Sequence, residues 1–336
     1  MNSNIYVIAE LSANHNNDFD LAVKTIEEMA KSGADAVKVQ TYTADSLTLD
    51  VDNEYFGPRK EGLWKGLKPY DVFKEASMPF EWQPKLKKIT NALGLEFFSS
   101  PFDFKSVDFL ENEVGVPRYK IASFEITDIP LIEYAASKGK PMIISTGVAE
   151  LRDIQLAVDA CRKVGNTDIT LLKCTSEYPA PIEKANLNTI PDLKERFGVQ
   201  VGVSDHTMGS IVPTVAVALG ASVVEKHFIL DRALGGPDSA FSMEPREFTE
   251  MVQNVRHAEK ALGRINYEVS EKSKLRRRSL FVSNDIKRGE RFTKDNIRSI
   301  RPGNGIHPKE FTSVIGKIAN QDILKGTPLS WTQLEV

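Results

Sequence analysis

The sequence predicts an α/β protein, a (β/α)8 TIM barrel followed by a small, mostly β C-terminal domain. Three observations predict it. Short apolar, β-branched runs alternate eight times with helical patterns over about 260 residues, the size of such a barrel. The runs are nearly continuously apolar, as in Ile169-Thr170-Leu171-Leu172, which suits parallel strands covered by helices. No glycine-rich phosphate fingerprint follows the first run, which argues against an open doubly wound sheet.

The strands are read at 5–9, 36–41, 95–100, 118–123, 141–145, 169–174, 200–204 and 222–228. The helices are read at 18–32, 80–93, 104–114, 129–138, 149–164, 187–197, 209–220 and 245–262. In the first helix Ala22, Ile26, Met29 and Gly33 share one face, and Gly33 stops it where a left-handed residue is wanted. The last helix opens with Pro245, repeats Phe248, Met251, Val252, Val255 and Leu262, and ends before Gly263. The barrel domain is therefore placed at 1–266. Residues 267–278 are charged, lack an apolar period and read as a linker. The tail, 279–336, has strand-like pieces at 279–282 and 322–324 and turn signals at Arg288-Gly289, Pro302-Gly303-Asn304-Gly305 and Lys325-Gly326. A module this small buries little core alone and is expected to lean on another body.

Composition narrows the function. The chain has 336 residues, 41% hydrophobic and 26% charged, with a net charge of −3. Nothing in that balance calls for nucleic acid or an anionic membrane as partner. Two cysteines, Cys161 and Cys174, make no disulfide framework and fit a reducing cytoplasm. The opening apolar run is too short for a signal peptide, and no run approaches the length of a membrane span. A cytoplasmic protein is expected.

Polar residues gather at the strand ends, where barrel active sites are built. In order they are Glu10; Lys38 and Gln40; Ser99 and Ser100; Lys120, Ser123 and Glu125; Ser145 and Thr146; Lys173 and Thr175, with Ser176 and Tyr178 beyond; Ser204, Asp205 and His206; and Glu225, Lys226 and His227. Strand alternation puts Lys38 with Gln40, Ser123 with Glu125, and Glu225 with His227 on common sides. A buried lysine or glutamate is unfavourable unless paired. An ordinary salt bridge explains any one of these residues, but not the whole set.

His206 and His227 end adjacent strands. Two neutral imidazoles there can share a divalent metal, with water completing the shell; the alternative for either is a structural hydrogen bond. His15, just past the first strand, is a loop-ordering residue or a substrate contact. Lys38 and Lys120, with the hydroxyls of Ser100, Ser123, Ser145 and Ser204, make an anion cradle, although each hydroxyl alone could serve nearby backbone. Cys174 reads as inert packing rather than a nucleophile. The arginine run at 276–278 reads as a solvated linker face.

Several of these segments resemble, in order and spacing, the sialic-acid synthase family. They are Ala9-Glu10-Leu11-Ser12-Ala13-Asn14-His15-Asn16, Val37-Lys38-Val39-Gln40, Tyr119-Lys120-Ile121-Ala122-Ser123-Phe124-Glu125, Ser145-Thr146-Gly147, Val203-Ser204-Asp205-His206-Thr207, Glu225-Lys226-His227-Phe228 and Gly236-Pro237-Asp238. The tail, with Arg301-Pro302-Gly303-Asn304-Gly305-Ile306, is similar to the antifreeze-like (SAF) domain of those synthases. The resemblance thus covers nearly the whole chain. It implies a reaction in which C3 of phosphoenolpyruvate attacks the aldehyde of an open-chain amino sugar, water adds at C2, and phosphate leaves by C–O cleavage. It also implies that Lys38, Ser100, Lys120, Ser123, Ser145 and Ser204 hold phosphoenolpyruvate. Glu10, Gln40, Tyr178 and Asp238 would contact the sugar, with Ser176 beside them in the substrate site. Glu10, Glu125, His206 and His227 would form the catalytic set, Glu125 handling the proton of the water. His206 and His227 would bind Mn²⁺, or Mg²⁺ or Co²⁺ in its place. Arg301 would reach over the barrel mouth from a second subunit, in a homodimer with a swapped C-terminal domain.

Two departures bear on the sugar. N-acetylneuraminate synthases carry Glu-Ile-Gly-x-Asn-His-Asn-Gly after the first strand, where this chain has Glu-Leu-Ser-Ala-Asn-His-Asn-Asn; Ser176 stands where they have Asn before the Tyr-Pro step. The versions in this chain look like the pseudaminic acid branch of the family, whose sugar is 2,4-diacetamido-2,4,6-trideoxy-L-altrose. Loop 42–76, with Tyr55, Phe56, Leu63, Trp64, Tyr70 and Phe73, is either an apolar lid for a deoxy sugar or plain packing and dimer contact. The rivals are an N-acetylneuraminate or legionaminic acid synthase, a Schiff-base pyruvate aldolase using Lys120 or Lys173, and a non-catalytic sugar-binding protein.

Overall fold

The computed structural model describes residues 5–61 and 65–335, in two compact units, Met1–Gly263 and Arg264–Val336. In the first unit eight parallel strands close a barrel in sequence order: β1 (Tyr6–Glu10), β2 (Ala36–Thr41), β3 (Glu96–Pro101), β4 (Tyr119–Ile121), β5 (Met142–Ser145), β6 (Ile169–Cys174), β7 (Gln200–Asp205) and β8 (Val223–His227). Pairing of Tyr6 with Val223 through Glu10 with His227 closes the ring. The helices are α1 (Phe19–Lys31), α2 (Ala44–Leu47), α3 (Pro69–Ala76), α4 (Gln83–Ala92), α5 (Phe104–Phe109), α6 (Ile129–Ala136), α7 (Leu151–Lys163), α8 (Thr189–Phe197), α9 (Ile211–Ala218) and α10 (Pro245–Leu262), then α11 (Glu271–Lys274) and α12 (Phe311–Val314) in the second unit.

The strands are buried along almost their whole length, because one face fills the barrel and the other meets the helix ring. The helices start where local chemistry satisfies their orphan amides. Asp18 accepts from Leu21 N at 3.0 Å, Asp103 from Ser106 N at 2.6 Å and Asp128 from Leu131 N at 3.1 Å. Helix α10 turns Phe248, Met251, Val252 and Val255 inward and is latched to the foot of the barrel by Arg256, which bonds Asp35 at 2.6 Å and the Ile5 carbonyl.

Three elements differ from expectation. The stretch expected as strand up to residue 123 leaves the sheet after Ile121, and Ser123–Glu125 forms a 3-10 turn. Loop 42–76 contains α2 and α3; Pro69, Val72, Phe73 and Ala76 follow helical spacing, but eight residues are too few to hold a helix without tertiary contacts. In the second unit, β9 (Ser279–Val282) pairs antiparallel with β10 (Ile297–Ile300), which was not anticipated; the piece expected at 322–324 makes only a bridge, Ile286 with Ile323. Leu280, Val282, Ile286, Phe292, Ile297, Val314 and Leu329 form the small core of that unit.

Candidate active site

Barrel closure brings four buried charges together at the C-terminal mouth. Glu10 ends β1, and its register partner on β2 is Lys38. Their charged groups lie 2.6 Å apart. Glu225 on β8 stands between two lysines, with Lys120 Nζ at 3.2 Å and Lys38 Nζ at 3.9 Å. Ser204 on β7, paired in register with Glu225, donates to it at 2.9 Å, and Lys38 donates to Ser100 at 3.5 Å. Glu10, Lys38, Lys120, Ser100, Ser204 and Glu225 are all buried. Two positive and two negative charges balance, which is the condition for keeping them out of water. Burial alone would raise the Glu225 carboxyl, but Lys120 and Lys38 together hold it below the usual carboxylate range. Burial depresses Lys120 below an ordinary lysine.

The expected i, i+2 pairing of Ser123 with Glu125 does not occur along a strand; both lie on the 3-10 turn after β4. Ser123 accepts from Gly147 N at 3.1 Å. A side chain at Gly147 would collide with Ser176 Oγ and Ser123 Oγ, so glycine is required there. Glu125 Oε2 is buried without a hydrogen-bond partner, and burial pushes its carboxyl up to about 7 despite the pull of Lys120. Ser145 Oγ, at the end of β5, is likewise buried and unpartnered.

The two histidines stand side by side, ring centres 5.2 Å apart. His206 Nδ1 lies 3.0 Å from the Thr175 carbonyl. A carbonyl only accepts, so Nδ1 carries a proton. His227 Nδ1 has no hydrogen-bond partner, and Asp238 Oδ2 is 3.8 Å away. Burial, then His206, Lys38, Lys120 and Lys226, depress His227 well below an ordinary histidine. His227 is thereby suited to the neutral, lone-pair-bearing form, whereas at His206 burial is outweighed by Cys174 and the Thr175 carbonyl, which raise it above an ordinary histidine. Phe241 packs on both, at 6.1 Å and 4.9 Å, and Tyr178 lies 4.4 Å from His206. Cys174 is buried behind His206, its Sγ 3.9 Å from Nδ1 and 3.7 Å from Ser176 Oγ.

Gln40, Ser12 and Asp238 line the same mouth. Gln40 Nε2 donates to Glu10 Oε1 at 3.1 Å and to Ser12 Oγ at 3.0 Å, and Ser12 Oγ donates to Asp238 Oδ2. Burial raises the Asp238 carboxyl, with the Ser12 hydrogen bond opposing. The barrel therefore gathers most of the expected barrel site residues into contacts with one another or with their neighbours, while Glu125 and Ser145 each keep a buried oxygen without a partner. Arg301, by contrast, lies exposed in the second unit.

Some expectations resolve into structural roles. Lys226 points away from Glu225 and His227, as alternation requires, and its ammonium meets Asp205 at 2.5 Å together with the Thr207 and Gly209 carbonyls. His15 accepts from Asn17 N at 3.1 Å and packs edge-on against Trp82, with burial pushing it down to about 4, and its Nε2 is buried without a hydrogen-bond partner. Tyr70 bonds Asp45 at 3.3 Å and Phe73 packs on Tyr42, so both serve the α2–α3 segment. Tyr55 is exposed, and Leu63 and Trp64 lie outside the described residues. Sequence reasoning assigned no role to Ser12 or Phe241; only the periodic placement of Ser12 after a strand end could have drawn attention to it.

The chain resembles known proteins over nearly its whole length. Residues 25–267 match the NeuB family and residues 277–335 the SAF domain. A pseudaminic acid synthase of Helicobacter pylori is 46% identical over 333 residues, 98% of this chain and 97% of that protein. One of Campylobacter jejuni is 44% identical over 328 residues, 97% of this chain and 95% of that protein. The crystal structure of an N-acetylneuraminic acid synthetase from Leptospira borgpetersenii superposes with a TM-score of 0.70 at 35% identity, covering 80% of this chain and 88% of that one.

Proposed function

The chain belongs to the NeuB family and carries a SAF domain, and from that premise we infer that it is a pseudaminic acid synthase. The reaction joins phosphoenolpyruvate to 2,4-diacetamido-2,4,6-trideoxy-L-altrose: C3 bonds to the aldehyde carbon, water adds at C2, and phosphate departs with its bridging oxygen. The observation that carries the mechanism is the buried ring of Glu10, Lys38, Glu225 and Lys120 beside the histidine pair.

Lys38 and Lys120 bind the phosphate and carboxylate of phosphoenolpyruvate, with Ser100, Ser123, Ser145 and Ser204 as further donors. The unpartnered Ser145 hydroxyl supports that role, since a buried hydroxyl without a partner is unfavourable until a ligand supplies one. Glu225 partners both lysines before the substrate arrives. Glu125, with its carboxyl near neutrality, takes the proton of the water that attacks C2. Glu10, Gln40, Ser176, Tyr178 and Asp238 orient the sugar.

The unpartnered Nδ1 of His227 and the neighbouring imidazole of His206, whose Nδ1 is taken by the Thr175 carbonyl and whose Nε2 is left for a ligand, fit a divalent cation such as Mn²⁺. When bound, it supplies Lewis-acid polarisation of the aldehyde oxygen. His206→Ala and His227→Ala are each expected to weaken Mn²⁺ binding by at least about tenfold, on the scale known for even outer-shell ligand losses. Calorimetry giving wild-type affinity in both variants would retire the pair as ligands. No helix among the described residues is long and apolar enough to cross a membrane. A homodimer in which Arg301 of one SAF domain serves the barrel of the other accords with the exposed position of that arginine.

The test is a panel of amino sugars incubated with phosphoenolpyruvate and Mn²⁺, scored by phosphate release and product mass. The altrose derivative is expected to lead the panel. Pyruvate with borohydride is expected to leave no adduct, because Lys120 Nζ is engaged by Glu225 at 3.2 Å and Lys173 Nζ by the Cys174 carbonyl at 2.7 Å; a trapped lysine would make the enzyme an aldolase instead.

A further inference from the structure

Four described residues other than glycine have positive φ: Asn16, Asn17, Asn186 and Ser12. Asparagine tolerates the left-handed region, whereas serine has no such advantage, and its φ of +47° is strained. Such strain persists where the surroundings enforce it, commonly at functional sites. Glycine would relax the backbone at this position, so the hydroxyl itself is the feature to explain.

That hydroxyl is buried and engaged both as donor and as acceptor. It donates its one hydrogen to Asp238 Oδ2 and accepts from Gln40 Nε2 at 3.0 Å. The second Gln40 amide hydrogen goes to Glu10 Oε1 at 3.1 Å. With both hydrogens committed, the Gln40 amide cannot flip, and its carbonyl oxygen must face the other way. Asp238 is fixed in the same manner, since Oδ2 also faces Ala13 N at 3.5 Å. The loop carrying Ser12 is separately tied down: Asn14 donates to the Phe228 carbonyl at 2.9 Å and to Ser242 at 2.8 Å. Neither Gln40 Oε1 nor Asp238 Oδ1 meets a donor among the described residues.

We propose that Ser12 is a positioning residue for sugar recognition, its hydroxyl locking Gln40 and Asp238 so that two acceptor oxygens face the hydroxyl and acetamido N–H donors of the amino sugar. Phosphoenolpyruvate, which offers acceptors and no such donors, is indifferent to this lock. The inference rests on the synthase reading and adds to it the part of the site that reads the sugar.

The experiment compares Ser12→Gly and Ser12→Ala with the wild type in steady-state kinetics, using the amino sugar that the wild type turns over best. Ser12→Gly removes the hydroxyl and relieves the backbone; Ser12→Ala removes the hydroxyl and keeps the strain. In both, KM for the sugar is expected to rise about tenfold or more, the loss of one to two well-placed hydrogen bonds. KM for phosphoenolpyruvate is expected to stay within about twofold, and Ser12→Gly should melt no lower than the wild type. A sugar KM unchanged in Ser12→Gly, an equal rise for both substrates, or collapse of both variants would each overturn the proposal. A wild type that prefers another amino sugar would end the pseudaminic assignment instead, and the variants are then read with that sugar. If no sugar yields phosphate, the synthase reading and this inference fall together.

Discussion

Glu225→Gln is expected to destabilise the protein by about 3–5 kcal/mol, and phosphoenolpyruvate is expected to restore much of that loss. Glu225 is the carboxylate shared by Lys38 and Lys120, at 3.9 Å and 3.2 Å. Neutral Gln in its place leaves Lys120 without its partner and Lys38 with Glu10 alone. Both ammonium groups remain buried, so the desolvation penalty stays while the attraction goes. Phosphoenolpyruvate brings a phosphate and a carboxylate to the same lysines. A ligand at 100 times its dissociation constant stabilises by about 2.7 kcal/mol, and the variant, lacking a competing internal anion, should gain more than the wild type. Urea denaturation with and without phosphoenolpyruvate measures both effects. Equal stabilisation of the two proteins by the substrate would show that the lysines do not hold it.

The second large effect is on rate. Glu125→Gln is expected to lower kcat by about 10²–10⁴, the range for loss of a general acid or base. Burial pushes the Glu125 carboxyl up to about 7, and a base must be ionised to accept a proton, so wild-type activity should rise with pH through about 7. The variant should lose that limb. The same shift has a stability consequence of opposite sense. The folded-state value lies above the ordinary 4.5, so this group's contribution is fully present below that value and is lost as pH rises through 7. Glu125→Gln should flatten that decline. A variant that keeps the acidic limb would assign it to another group.

Much of the barrel was legible because its signals are local. The continuous apolar runs of β1, β2, β3 and β6 placed the strands within a residue or two, and Gly33 marked the end of the first helix. The short β4 was overextended, because Ala122 and Ser123 continue its composition while the chain turns into a 3-10 segment. Helix α3 was missed because two turns are stabilised by contacts such as Tyr42 on Phe73 rather than by their own length. At the site, the positions of Lys38, Lys120, His206 and His227 followed from their places at strand ends. Lys226 looked equal to its neighbours in sequence, yet alternation and Asp205 send it to the opposite side.

By itself the sequence determined which residues lie on strands, which end of each strand carries charge, and the family to which the chain belongs. These depend on periodicity and on the order of short motifs, which are properties of neighbouring residues. Only the tertiary structure decided that Glu225 serves two lysines while Glu10 serves one, that the two imidazoles lie within 5.2 Å, and that Ser12 links Gln40 to Asp238. Those pairings join residues up to 226 positions apart. They exist because barrel closure places β8 beside β1, and no local preference of the chain encodes that distance.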